Sequence, residues 1–152
     1  MKLHLTLAKV ACAALLASTA GIAAAADSTT LAVTATVSGI CKFSATSTPL
    51  SFGTVDPSLT VDKVVTANVL YKCTKGTASA GVTATGGTSR TMASGALTLP
   101  YTLGFSGGTA TGTGFGAGQD LTLVVTGTIT AAQYQNASAG AYTENVTLNI
   151  TP

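Results

Sequence analysis

The sequence predicts an all-β sandwich of about seven strands. Apolar and polar residues alternate with a period of two in several segments, and clusters of Gly, Ser, Thr and Asn separate those segments. No segment has the pattern of a convincing amphipathic helix, and residues 131–136 have room for one helical turn at most. These observations favour antiparallel strands around one core.

The N-terminus has the three parts of a secretory signal peptide. Lys2 and Lys9 accompany a run of Leu, Ala and Val, and residues 23–26 offer an Ala-x-Ala cleavage site before Asp27. An uncleaved membrane anchor is the alternative, but the apolar run is shorter than the ~20 residues of a membrane span. We therefore predict a signal peptide over residues 1–26 and an exported protein.

Removal of the signal peptide changes the charge of the chain. It leaves 126 of the 152 residues, enough for one domain, with five basic residues against five acidic ones. No basic patch remains to neutralise phosphates, so nucleic acid is not an expected partner. A net charge of zero favours association between copies.

Residues 29–37 form the first predicted strand. Leu31, Val33, Ala35 and Val37 share one face, and Thr and Ser dominate the other. A strand near a terminus pairs either within its own sheet or with another molecule, and the residue pattern leaves both open.

Two cysteines, Cys41 and Cys73, follow the predicted cleavage site. An even number of cysteines in an exported chain indicates a disulfide bond. A metal site would need further ligands, and no other Cys or His follows residue 26. We predict neither a metal nor a cofactor.

The remaining predicted strands follow in chain order. A short strand over residues 49–57 ends in an Asp-Pro turn, and Pro100 places its own strand at a sheet edge. The glycine-rich residues 107–118 are predicted to be a flexible loop, too poor in side chains to pack. The other strands are expected over residues 64–73, 82–85, 97–105, 121–129 and 142–152.

The last of these strands carries a mixed face. Tyr142, Val146, Leu148 and Ile150 share one side, and Glu144 is the one charged residue in the same phase. The chain ends within this strand, which leaves an open sheet edge and an association hazard unless another strand covers it.

Several motifs of catalytic sites occur without their required context. Residues 112–117 fit the Gly-x-Gly-x-x-Gly/Ala pattern of dinucleotide sites, but a strand follows where a helix is needed. Ser106 lies in a Gly-x-Ser-x-Gly motif, but the only histidine, His4, leaves with the signal peptide. The remaining candidates for hydrolytic chemistry are weak, and we predict no enzyme; they are the carboxylates Asp56, Asp62, Asp120 and Glu144.

A series of short motifs resembles the spore coat protein U domain family, which includes subunits of archaic chaperone–usher pili. The resemblance spans most of residues 30–152, although Val55 stands where the family often has Tyr and Glu144 where it often has Asp. Its motifs are the Cys41 start, Leu-Ser-Phe-Gly-Thr-Val-Asp-Pro at 50–57, Cys-Thr-Lys-Gly at 73–76, Arg-Thr-Met at 90–92, Leu-Pro-Tyr at 99–101, Val-Thr-Gly at 125–127 and the ending at 140–150.

The resemblance implies an immunoglobulin-like sandwich that lacks its final strand. In such pilins a periplasmic chaperone lends the missing strand, and at the outer-membrane usher the N-terminal segment of the next subunit replaces it. We therefore expect a non-enzymatic fibre subunit at the cell surface, with a donor extension over residues 27–40 and a sandwich over 41–152. The donor side chains would be Leu31, Val33, Ala35 and Val37, and the edge of the acceptor groove would carry Tyr142, Val146, Leu148 and Ile150.

Two other readings remain open. In a self-contained coat or matrix protein of the same family, residues 29–37 would complete their own sandwich. A tip adhesin that binds surfaces or carbohydrate would need aromatic platforms and normally a second domain, and the chain has no Trp.

Overall fold

Seven strands and one short helix make up the regular structure of the described chain. The computed structural model describes residues 26–152, and Thr36–Pro152 forms one compact unit to which residues 26–35 do not belong. That unit contains one short helix, α1 (Ala131–Tyr134). Its strands are β1 (Cys41–Phe43), β2 (Lys63–Cys73), β3 (Gly81–Ala84), β4 (Ser89–Ser94), β5 (Leu97–Ser106), β6 (Leu121–Ile129) and β7 (Leu148–Thr151).

The strands form two antiparallel sheets. The larger has the order β1-β2-β6-β5-β4, and the smaller pairs β3 with β7. The predicted all-β class is confirmed, and the architecture is consistent with an immunoglobulin-like sandwich. Register defines two ends: Cys41 faces Cys73 at one, here called the Cys41 end, and Lys63 faces Ile129 at the other, the Lys63 end.

The core lies where the predicted alternation places it. Tyr71 and Cys73 of β2 and Leu123 and Ile129 of β6 are fully buried, while the residues that alternate with the buried ones along each strand are more exposed. Burial of one such large apolar side chain contributes about 1.5–3 kcal/mol. The Tyr71 hydroxyl donates to the carbonyl of Gly107 at 2.8 Å, so its polar atom is also satisfied.

Two predicted strands are absent, and two others take their place. Residues 26–40 and 44–62 contain no strand, whereas Cys41–Phe43 and Ser89–Ser94 are strands that the pattern did not single out. A strand needs a paired neighbour for its backbone groups, and periodicity cannot show whether one is available. The Asp-Pro turn is present, since Asp56 accepts a hydrogen bond from the Ser58 N–H at 2.9 Å.

The prediction that Pro100 lies in an edge strand is wrong. β5 lies between β4 and β6, and Pro100 faces Thr91 of β4. Pairing of β5 with β6 starts only at Thr102, however. The proline is tolerated because its part of β5 has a single neighbour and therefore one unpaired side.

The glycine-rich residues 107–118 pack through their backbone rather than hanging free. Gly112 donates to the carbonyl of Thr77 at 2.8 Å and accepts from the Gly76 N–H at 2.9 Å. A Cβ on Gly112 would lie 2.4 Å from the carbonyl oxygen of Cys73, so only glycine allows this approach. The expectation of a loop that cannot pack is wrong because it considered side chains alone.

Candidate functional site

A groove runs between residues 43–57 and residues 137–148. The pairing partners follow one another around the domain from β1 through β2, β6, β5 and β4 to the C-terminal segment, where Thr143 exchanges two hydrogen bonds of 3.0 Å with Ala93. No pairing connects that segment back to residues 43–57 within the described chain. Among the described residues, the ring of paired strands is therefore incomplete at this groove.

Both walls of the groove carry unpaired backbone. Within residues 26–152, no backbone-to-backbone hydrogen bond involves residues 45–55 or Glu144 and Val146. Thr143 and Thr147 bind the opposite neighbours, Ala93 and Thr85. Because backbone groups alternate in direction along an extended chain, those of Glu144, Val146 and Leu148 face the groove.

The groove contains two depressions. The larger, of about 780 Å³, is floored by apolar side chains of several elements: Phe52, Met92, Leu99, Ile129 and Tyr134. The smaller, of about 240 Å³, lies between Phe43 and Val146. The groove narrows towards the Cys41 end, where β1 contacts β7. Its shape and its unpaired walls suit one extended peptide strand.

The predicted groove residues are brought together, with one exception. Tyr142 lines the larger depression, and Val146 and Leu148 line the smaller one. Residues 142–151 alternate strictly between half-buried and exposed, as predicted, although only Leu148–Thr151 is a regular strand. Ile150 lines neither depression and lies opposite Val82 of β3.

The predicted donor side chains are exposed. Leu31, Val33 and Val37 are 83%, 81% and 82% accessible, and Ala35 is exposed as well. Residues 26–40 belong to no helix or strand. Side chains with this spacing are therefore available to another molecule, but their role as a donor strand stays a prediction.

A half-buried ion pair holds the wall of the groove at Glu144. The guanidinium of Arg90, from β4, contacts Glu144 Oε1 and donates to the carbonyl of Thr85 at 2.5 Å. The side chains of Arg90 and Glu144 are 13% and 19% exposed, and Glu144 Oε2 and Arg90 Nε have no hydrogen-bond partner among residues 26–152. The Glu144 carboxylate raises the pKa of Arg90.

Tyr101 lies beside this ion pair. It faces Arg90 across the β4–β5 register, and its ring packs edge-on against Phe52 with centroids 5.8 Å apart. Burial, together with the Glu144 carboxylate, raises the pKa of Tyr101 to about 12. The charged residue in the apolar phase thus anchors the groove wall to the core.

The predicted disulfide is present. Cys41 and Cys73 are bonded, with Cα atoms 4.1 Å apart, and they join the first residue of β1 to the last residue of β2. The bridge holds one wall of the groove on the central sheet.

The weak catalytic candidates do not converge. Asp56 binds Ser58, whose hydroxyl and N–H lower the pKa of Asp56, and Asp62 accepts from the Ala131 N–H at 2.9 Å. Asp120 pairs with Lys72 at 3.6 Å. Among the described residues no group of three or more His, Cys, Asp or Glu is placed to hold a metal ion. Ser106 ends β5 and leads into a turn rather than a helix.

The comparison with known families decides the relationship. The model of the Spore Coat Protein U domain matches residues 27–149. The chain belongs to this family. Spore Coat Protein U domains are structural pilus and coat domains associated with the cell surface. Neither curated proteins nor solved structures gave a match.

Other parts of this Spore Coat Protein U domain bear on its location and its site. The predicted signal peptide falls almost wholly outside the described residues, and the described part has no helix long and apolar enough to cross a membrane. Sequence reasoning missed the second wall of the groove. Leu50 and Phe52 gave the available signal, since they alternate with polar residues and pack where Gly127 has no side chain.

Proposed function

We propose that the chain is a non-enzymatic structural subunit of an extracellular pilus or related fibre. Residues 29–37 of one copy insert as a strand into the groove of its neighbour. The observation that carries this proposal is a groove with unpaired backbone on both walls and apolar side chains on its floor. A strand added there satisfies hydrogen-bonding groups on both sides at once.

The N-terminal segment has the chemistry of the occupant. Leu31, Val33, Ala35 and Val37 recur every second residue, and the groove wall from residue 142 to 150 has the same length and period. Burial of the four donor side chains yields roughly 5–8 kcal/mol before the cost of ordering the segment. The exposure of Leu31, Val33 and Val37 favours insertion into a neighbour over completion of the same sandwich.

Assembly at the cell surface requires partners. The proposal includes export of residues 27–152 through the periplasm, a chaperone that covers the groove in transit and an outer-membrane usher that exchanges it for the next subunit. The family membership supports this route, since the match starts at residue 27, directly after the predicted cleavage site.

Deletion of residues 27–37 tests the proposal. Without this segment, residues 38–152 should form no head-to-tail polymers, and a synthetic peptide of residues 27–40 should bind them and raise their melting temperature. Polymerisation that persists after the deletion contradicts the proposal.

Two peptide variants control for the strand phase. The peptide with Val33→Asp should lose binding, because a carboxylate would enter the apolar floor. The peptide with Thr34→Asp should bind like the parent, because residue 34 faces away. Equal loss for both peptides would show that binding is not strand insertion.

A further inference from the structure

The donor segment is joined to the domain at the Cys41 end by a short connection, residues 38–40, that hydrogen bonds hold in place. The Ile40 N–H donates to the Thr74 hydroxyl at 3.1 Å, the Thr74 N–H donates to the Ile40 carbonyl at 2.9 Å, and the same hydroxyl donates to the Ser38 carbonyl at 3.1 Å. Gly39 lies against Thr77 so closely that a Cβ would be 2.9 Å from its hydroxyl. A domain whose donor occupies a groove must therefore lie directly at the point where Val37 leaves that groove.

The direction of insertion follows from this short connection, given the proposed function. The groove wall from residue 142 to 150 runs from the Lys63 end to the Cys41 end, because Thr143 faces Ala93 and Thr151 faces Gly81. A donor parallel to it would bring the next domain to the Cys41 end, which already holds the previous neighbour. An antiparallel donor brings the next domain to the Lys63 end, and only this direction gives an open chain of copies.

The Lys63 end presents a fixed apolar loop. Leu59 and Val61 are 51% and 66% exposed. The Tyr134 hydroxyl donates to the Val61 carbonyl at 2.6 Å and lies 3.1 Å from the Leu59 carbonyl, which also accepts from the Gln135 side-chain amide at 2.9 Å. Pro57 and Tyr134 also line the larger depression, so the loop adjoins the groove.

The Cys41 end presents complementary groups. Ile40 and Phe115 are 40% and 45% exposed there. Among the described residues, Lys42 and Lys75 at this end have no acidic partner within 4 Å. At the other end, Asp56 and Asp62 have no basic partner within the same distance. The two ends thus match in apolar exposure and differ in charge, since Asp56 and Asp62 outnumber Lys63 at one end, whereas Lys42 and Lys75 are the unpaired charges at the other.

We propose that the loop of residues 56–62 is a second contact between copies, docking on the Cys41 end of the next subunit around Lys75 and Phe115. This contact adds to the inserted strand and fixes the angle between successive domains. It rests on the proposed function, because only strand insertion brings the two ends together.

The test separates the second contact from strand insertion. Residues 27–152 with Leu59→Ser and Val61→Ser should self-associate about tenfold more weakly in analytical ultracentrifugation, since two exposed apolar side chains lose their cover. The serine substitutions should not change the binding of a peptide of residues 27–40. This binding is measured in chains that also carry Leu31→Asp and Val33→Asp, so that their own extensions do not compete. Leu70→Ser is the matched control, because Leu70 is 42% exposed in β2, three residues before Cys73, and belongs to neither of the proposed contact surfaces.

A charge exchange provides an independent variant. Lys75→Glu should weaken self-association, and Thr60→Lys in the same chain should restore it, because exposed Thr60 lies between Asp56 and Asp62. If the serine variant and Lys75→Glu both self-associate as strongly as the wild type while peptide binding is intact, the second contact is overturned and strand insertion is not. Failure of the wild-type groove to bind the peptide overturns the proposed function and the second contact with it.

Discussion

Glu144 is the residue whose role differs most from its appearance in the sequence. It interrupts an apolar phase, which made it a candidate catalytic carboxylate, yet it forms a half-buried pair with Arg90 and lies beside Tyr101. Its phase was visible in the sequence. Its partner was not, because Arg90 lies 54 positions away and in a strand that the pattern did not reveal.

Removal of one partner of this pair should destabilise the domain. Arg90→Met leaves a half-buried carboxylate without its partner and should lower the urea concentration at the midpoint of unfolding. The double variant Arg90→Met with Glu144→Leu should recover most of that loss. Urea denaturation of the single and double variants measures both values. Equal stability of Arg90→Met and wild type would show that the ion pair does not anchor the groove wall.

Tyr101 should make stability depend on alkaline pH. Its pKa in the folded chain is raised from 10.0 to about 12, so the neutral hydroxyl is favoured by folding. This contribution is complete below pH 10 and is lost as the pH rises through 12. Between pH 9 and 12, the melting temperature should therefore fall less steeply with pH for Tyr101→Phe than for wild type. Identical slopes would contradict the assignment.

At the scale of elements, alternation was a reliable guide where both neighbours of a strand are present. β2 and β6 were predicted with their buried faces because each is paired on two sides and buries one face. Residues 29–37 and 49–55 alternate equally well but are not strands. Their pattern describes side chains that fit a sheet, and the pairing edge must come from elsewhere.

The disulfide should contribute strongly to the stability of the first wall. Cys41 and Cys73 are separated by 32 positions, and closure of such a loop is worth about 3–4 kcal/mol in the chain-entropy model. Residues 27–152 with Cys41→Ser and Cys73→Ser should lose about that much stability in urea denaturation. Reductant should destabilise the wild type by a similar amount and leave the double variant unchanged. A response of the double variant to reductant would point to another cause.

Glycine in the loop of residues 107–118 should matter by position. Gly112→Ala should destabilise by about 2–3 kcal/mol, because its Cβ would overlap the Cys73 carbonyl. Gly116→Ala in the same loop meets only Gln119 at 3.6 Å, an ordinary contact, and should change stability by less than about 0.5 kcal/mol. Thermal unfolding of the two variants compares them directly. Similar values would show that the loop is not held through its backbone.

At the scale of the whole molecule, the residue pattern predicted the class and one wall of the groove, whereas the groove itself was expected only from the family resemblance. The period of residues 142–150 identified the wall that alternates. The opposite wall, residues 43–57, alternates only over residues 49–55 and is irregular beyond Phe43. The gap arises from the way both segments pack around β2 and β6. Local residue patterns contain no information on the distance between the two segments.

The direction of the inserted strand decides whether the two ends of this domain can alternate along a fibre. A donor antiparallel to residues 142–150 places its C-terminal end at the Lys63 end of the acceptor. β2 alone spans about 35 Å between the two ends, from its 11 residues. The two directions are therefore separated by more than the uncertainty of an energy-transfer measurement.

Energy transfer should identify the antiparallel direction. A peptide of residues 27–40 labelled at Ser38→Cys should transfer strongly to a label at Ala139→Cys, an exposed residue at the groove's Lys63 end, and weakly to one at Lys75→Cys. An acceptor chain carrying Leu31→Asp and Val33→Asp prevents its own extension from competing. Stronger transfer to Lys75→Cys would mean parallel insertion, which places both neighbours at one end and limits the assembly to closed pairs.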